Sequence, residues 1–274
     1  MKALVLSELE RIWSKKSTWI ILLSIPLVIY ASARYYLGHN LNMTIDSPEY
    51  TSFGNFTNAV MQEQLILFFN IVLILLCVLV FTDEFTSGSI RMVFIRPLHY
   101  WEAFFSKLYS VAITIFVFVM AYFILSLPIG YILMPKLENV SIFYHSSKFT
   151  IKESILYGIK YYTISYLTLM SMAFVISFIA MVSKSITSAV GISITFLFGS
   201  LIYPQILMIA FREISDKVMT YQLLSITHIQ HMGIAMMLGE KGFFSSFILT
   251  VLTVYIIVFG ILSYLIFNKT SKYV

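Results

Sequence analysis

Six apolar runs divide this chain, at about 17–33, 65–82, 108–134, 161–182, 185–210 and 242–267. A helix needs roughly 20 predominantly apolar residues to cross ~30 Å of hydrocarbon, so each run predicts a membrane-spanning helix. The first is the shortest and has Pro26 at its centre. Ahead of it, Leu6, Leu9, Ile12 and Trp13 fall at helical spacing, with Lys2, Glu8, Arg11, Lys15 and Lys16 around the rest. That pattern predicts an amphipathic helix lying in the membrane interface. The plainer alternative is a ragged extension of the first span.

The polar stretches between the runs differ in kind. Asn40, Asn42, Asp46, Pro48 and Gly54 mark 34–63 as an irregular external loop, and 135–160 reads as a second one. Asn55-Phe56-Thr57 matches a glycosylation acceptor, a three-residue pattern common by chance. Arg212–Lys241 is too apolar for a solvated loop and too mixed to span, with Leu223, Leu224, Ile226, Ile229, Ile234, Met236, Met237 and Leu238. Short helices broken at Gly233 and Gly239, lying at or dipping into the outer leaflet, are the expected form, because backbone at membrane depth must be hydrogen-bonded internally. Trp19–Tyr30 followed by Ala31-Ser32-Ala33 resembles a leader with a small-residue cleavage site. We read it as a retained span.

Composition confirms the class. Of the 274 residues, 59% are hydrophobic and only 11% charged, with mean hydropathy +0.88. Soluble domains carry about 25% charged residues, which excludes an ordinary globular protein. The net charge of +5 is unevenly placed. With the N-terminus inside, the cytoplasmic pieces hold Lys2, Arg11, Lys15, Lys16, Arg91, Arg96, Lys107, Lys184, Lys269 and Lys272, twice their number of acidic residues. The external pieces are balanced. The basic character is therefore a topology signal, with both termini cytoplasmic, and does not indicate nucleic-acid binding. The single Cys77 can form no internal disulfide. The expected fold is one all-α membrane domain, 1–274.

The predicted spans carry almost no ionisable side chain; Arg34, Lys107 and Lys160 sit at their edges. Proton relays need such groups inside the membrane, which argues against a proton-coupled carrier. No GxxxxGK[ST] loop is present, so nucleotide hydrolysis by that route is not expected here. HExxH is absent too, and Gly199-Ser200 lacks the surroundings of a nucleophile. His228 and His231, at i and i+3, could share a helical face as a metal pair, but no third ligand lies near them; the expectation is no metal and no catalytic residue.

Two features invite more. On the fifth span Thr187, Gly191, Thr195 and Gly199 place a small residue at every fourth position, which lets helix backbones approach closely. That face predicts a tight contact, either with a second copy or with another span of the same subunit. The other feature is a polar block between the second and third spans, from Asp83-Glu84 through Gly88-Ser89-Ile90-Arg91 to Arg96-Pro97, with Lys107 beyond. Thr82, Asp83 and Glu84 suit a helix start, where acidic groups complement the dipole. Ile90, Val93 and Phe94 supply an apolar stripe, and Pro97 disfavours helix at Arg96.

The pattern Glu84-x3-Gly88-Ser89-Ile90-x6-Pro97 with Lys107 at the next span resembles the loop between spans two and three of ABC exporter permeases of the type-2 class, which handle drugs, peptides, lipids and polysaccharides. The layout is similar as well: an N-terminal amphipathic helix, six spans, and short outer helices between spans five and six. Leu98-His99-Tyr100 departs from the hydrophobic-Ser/Thr-Arg that often follows the proline. The resemblance implies a transmembrane subunit in a bacterial plasma membrane that dimerises with a second copy or a paralogue. It would dock on two cytosolic ATPase subunits carrying the ATP and Mg. Asp83, Glu84, Gly88, Ser89, Ile90, Arg91, Arg96, Pro97 and Lys107 would form the coupling element. The 24 Phe, 18 Tyr and 14 Met suit a hydrophobic or amphipathic substrate, such as a peptide, antibiotic or lipid-like compound, though much of this is membrane filler. The competing reading is a membrane scaffold or sensor that binds a cytosolic partner through the same loop.

Overall fold

The computed structural model describes residues 1–83, 99–211 and 215–271, the side chains of 270 and 271 excepted. Over the described residues the fold is all-α, with six helices long and apolar enough to cross a membrane. A short helix, α1 (Lys2–Trp13), precedes them. The spans are α2 (Lys16–Asn40), α3 (Phe53–Thr82), α4 (Tyr100–Leu133), α5 (Ile151–Val182), α6 (Ile186–Phe211) and α9 (Ser245–Ser271). Between α6 and α9 lie α7 (Asp216–Gln222) and α8 (226–238). A minimal antiparallel hairpin, β1 (Asn139–Val140) with β2 (Phe149–Thr150), joins α4 to α5.

Helices α3 and α5 form the centre. Leu65, Phe69, Leu73, Cys77 and Phe81 repeat every fourth residue along α3 and are all fully buried, against Leu169, Met172, Ala173, Ile176 and Ala180 of α5. In lipid the hydrophobic effect contributes little between helices, so close packing and interhelical hydrogen bonds must hold the bundle. Thr82 Oγ1 donates to Ala180 O at 2.8 Å, Tyr162 OH to Thr57 O at 3.1 Å and Tyr166 OH to Ala112 O at 3.1 Å. At Gly130 of α4 a Cβ would lie 2.5 Å from Phe56 Cδ1, so the missing side chain is what lets α3 and α4 close.

The spans extend beyond the apolar runs that announce them. The expected loop 34–63 shrinks to 41–52, because α2 continues to Asn40 and α3 begins at Phe53. The first three turns of α3 are polar on one side and apolar on the other, and Phe56, Val60 and Met61 bury the apolar side. Hydropathy averaged over all faces misses such a helix. Asn55 is not a loop residue: its Oδ1 accepts from Ser52 N at 2.8 Å, its Nδ2 donates to Tyr50 O at 2.9 Å, and it is buried. The loop 135–160 likewise contracts, since α5 starts at Ile151 behind a Thr150–Glu153 capping box.

The region 212–241 is a helix-turn-helix over its described part, as expected. Gly233 does not break it. Residues 226–238 run continuously through a π-helical turn, Ile229–Gly233, and the chain leaves helix at Gly239 in extended geometry. Ala31-Ser32-Ala33 lie within α2, with Ser32 and Ala33 buried and Gln64 Nε2 donating to Ser32 Oγ at 3.0 Å.

Candidate functional site

One end of the bundle gathers α1, the end of α3, the start of α4 and the end of α9. Phe104 packs on Phe81, Tyr264 and Phe267 there. Helix α1 lies against α4, with Ile12 buried and Trp13 edge-on to Phe118 at 6.0 Å. Polar side chains of α1 and of the turn behind it then reach both flanks of the polar block. Lys15 Nζ meets Asp83 Oδ2 at 2.8 Å, and Glu8 Oε1 meets Lys107 Nζ at 2.8 Å, while Arg11 holds the other Glu8 oxygen at 2.6 Å. Lys107 is thus tied to α1, and Asp83 to the turn between α1 and α2. Lys107 is 1% exposed, where sequence placed it as a span-edge cation. Glu84, Gly88, Ser89, Ile90, Arg91, Arg96 and Pro97 lie outside the described residues.

The opposite end is closed by loops. Lys148 Nζ pairs with Asp46 Oδ1 at 2.6 Å, and this exposed contact holds the Asp46 carboxyl below the usual range. Glu240 Oε1 accepts from Ser146 Oγ at 2.7 Å, Glu240 N donates to Tyr144 O at 3.1 Å, and the His145 ring nitrogen Nε2 lies 2.9 Å from Leu238 O. Tyr144 adopts φ 64°, a left-handed conformation uncommon for a bulky residue.

Beneath those loops is a cavity of about 370 Å³ between α2, the polar half of α3, the start of α5 and α8. Ligand sites typically enclose ~300–1,000 Å³. Glu63, Asn58, Tyr36, Tyr157, Tyr161 and His231 line it. None of Asn58 Nδ2, Asn58 Oδ1, Glu63 Oε2 and Tyr161 OH has a hydrogen-bond partner, although all are buried. Sequence reasoning missed these groups, because Glu63 and Asn58 fell in a presumed loop. The available signal was Phe53, Phe56, Val60 and Met61 at helical spacing.

A buried amide pair ties α8 to the core of the bundle. Asn70 Nδ2 donates to Gln230 Oε1 at 2.7 Å, and Gln230 Nε2 returns to Asn70 Oδ1 at 3.3 Å and reaches Thr168 Oγ1 at 3.4 Å. Asn70 directly follows the π-helical turn Leu65–Phe69 of α3, and Gln230 lies in that of α8. A further π turn, Val78–Thr82, ends α3 beside the polar block. Such turns recur at functional positions.

His228 and His231 lie on α8. Burial, and then the neighbouring imidazole, push the His228 pKa down to about 4, and its Nε2 has no partner. Among the described residues no three histidine, cysteine or acidic side chains cluster as metal ligands.

The small-residue face of α6 points outward. Thr187, Gly191, Thr195 and Gly199 are all exposed, and nothing lies within 4 Å of where a Cβ would sit on Gly191 or Gly199. Among the described residues this removes the alternative in which the face packs on another span of the same subunit. Only 11% of the apolar stretch of α6 is buried, against 67% for α3.

These features define a multi-pass membrane protein with an ion-paired N-terminal helix at one end and a polar cavity at the other. A family described as protein of unknown function (DUF2705) matches residues 19–271, and the chain belongs to that family. No curated protein matches it.

Proposed function

We propose that the chain is the transmembrane subunit of an ATP-driven exporter of the ABC type-2 class, placed in a bacterial plasma membrane with both termini in the cytoplasm. Two subunits would form the path for an amphipathic peptide, antibiotic or lipid-like compound. Separate cytosolic ATPases would supply the energy. The observation that carries this reading is the ion-pairing of α1 and the turn behind it to the two flanks of the polar block, Glu8 to Lys107 and Lys15 to Asp83. A segment that receives force needs stiff attachment, and one ion pair onto α1 with a second onto the turn behind it supplies that. The motif within 84–97 and the outward small-residue face of α6, free to meet a second copy, support the same reading.

The test is co-purification with an ABC-class ATPase encoded beside this gene. The double substitution Glu84→Ala with Gly88→Trp is expected to abolish the association and leave the permease folded. ATPase binding that survives both changes counts against the proposal. Association without ATP-dependent movement of any compound in reconstituted vesicles favours the scaffold reading.

A further inference from the structure

The cavity under the outer loops has a chemistry that neither the bundle's packing nor the coupling end uses. Buried polar groups are nearly always hydrogen-bonded, yet Asn58, Glu63 and Tyr161, three residues that line one cavity, each carry a buried polar atom without a partner. Loose packing does not account for them: a Cβ on Gly158 would lie 2.8 Å from Asn58 Oδ1, so Asn58 is seated closely against α5. Tyr36, by contrast, spends its hydroxyl on Ala59 O at 3.0 Å, and Gln62 its amide on His231 O at 2.9 Å. The walls are thus anchored, while Asn58, Glu63 and Tyr161 beside them keep polar atoms without a partner.

The sign of the charge narrows the occupant. Among the described residues, Glu63 and Glu49 are the carboxylates lining the cavity, and no lysine or arginine lines it. An anion is therefore disfavoured. Aromatic side chains form much of the wall. Tyr35 and Tyr36 meet edge to face at 5.3 Å on α2, while Tyr157 and Tyr161 lie 6.3 Å apart on α5. Aromatic faces around a carboxylate recognise organic ammonium and guanidinium groups through the ring quadrupole. A bare metal ion instead needs a close shell of oxygen ligands. At about 370 Å³ the space exceeds what such an ion fills and accommodates a cationic head with a compact apolar body.

We propose that this cavity is a binding site for an organic ammonium cation, with Glu63 as its counter-ion, the tyrosines as its cage, and Asn58 and Tyr161 as hydrogen-bonding groups. The site does not depend on whether the bundle transports its occupant, so failure of the exporter reading leaves it standing.

Benzyltrimethylammonium is a soluble probe of the right shape, titrated calorimetrically into the full chain in dodecyl maltoside, a detergent without an ammonium group. Saturable binding is expected, with benzyl alcohol and benzylsulfonate bound at least about tenfold more weakly. Glu63→Gln is expected to weaken the cation by roughly tenfold or more, and Glu63→Asp to retain part of the affinity. Equal affinity for benzyl alcohol, no saturable binding of the cation, displacement by sodium or potassium at equal concentration, or unchanged affinity in Glu63→Gln each overturns the proposal. Should Glu63→Gln fail to fold, the charge series on the unmodified chain decides alone.

Discussion

Lys107 and Glu8 meet at 2.8 Å although 99 residues separate them, with the lysine 1% and the glutamate 13% exposed. The pair fastens the N-terminal helix to the start of α4, and Arg11 completes the arrangement by holding the second oxygen of Glu8. A charge taken this far from solvent persists only while its counter-charge is present.

Removing one partner is therefore expected to hurt more than removing both. Glu8→Ala leaves the Lys107 ammonium buried beside Arg11, and a loss of about 3 kcal/mol is the scale for such a change. Glu8→Leu with Lys107→Met should recover much of it. Thermal unfolding in detergent measures both, and limited proteolysis should show residues 2–13 released in the single variant. Equal losses in single and double variants would mean the charges are not coupled.

The amide pair between Asn70 and Gln230 makes a parallel prediction for the loop end of the bundle. Asn70→Leu leaves the Gln230 amide short of a partner, a cost of roughly 1–3 kcal/mol. Asn70→Leu with Gln230→Leu should cost less than the sum of the single changes, and a double-mutant cycle on unfolding reads that difference. Additive effects would show that the hydrogen bonds seen between α3 and α8 carry no coupling.

Two glycines predict opposite outcomes. Gly130→Ala forces Cβ against Phe56, so overpacking of about 1–3 kcal/mol is expected in the unfolding free energy. Gly191→Ala meets nothing within 4 Å, and exchanging a mid-helix glycine for alanine should raise the monomer's stability by roughly 0.5–1 kcal/mol. The larger Gly191→Leu tests the second copy: loss of dimer cross-linking with intact monomer stability is expected, and undiminished cross-linking rejects α6 as the seam.

Acid should loosen α8. His228 is held at about 4 in the fold, below the ordinary histidine value of 6.5, because burial disfavours the imidazolium. The unfolded chain therefore binds the extra proton first. The neutral side chain's contribution is complete above pH 6.5 and is lost as pH falls from there towards 4. The melting temperature should drop between pH 7 and pH 5, and His228→Gln should flatten that dependence. An identical pH profile in the variant would assign the acid sensitivity to another group.

Local pattern alone determined a good deal of this protein. The number and order of the spans, the amphipathic character of 3–16 and the helices within 216–238 are written in short-range hydropathy, since a helix crossing lipid must satisfy its own backbone and show apolar side chains to its surroundings. The polar half of α3 escaped that reading because its apolar face is narrow and its polar face looks into a cavity, which an average over residues cannot separate. Only the tertiary structure brought Glu8 to Lys107, Asn70 to Gln230 across 160 residues, and Glu63 beneath the tyrosines of α2 and α5. It also turned the small-residue face of α6 outward, where spacing had left two directions open. Such contacts depend on how helices are rotated and packed against one another, and periodicity within a single helix fixes its faces without saying what each face will meet.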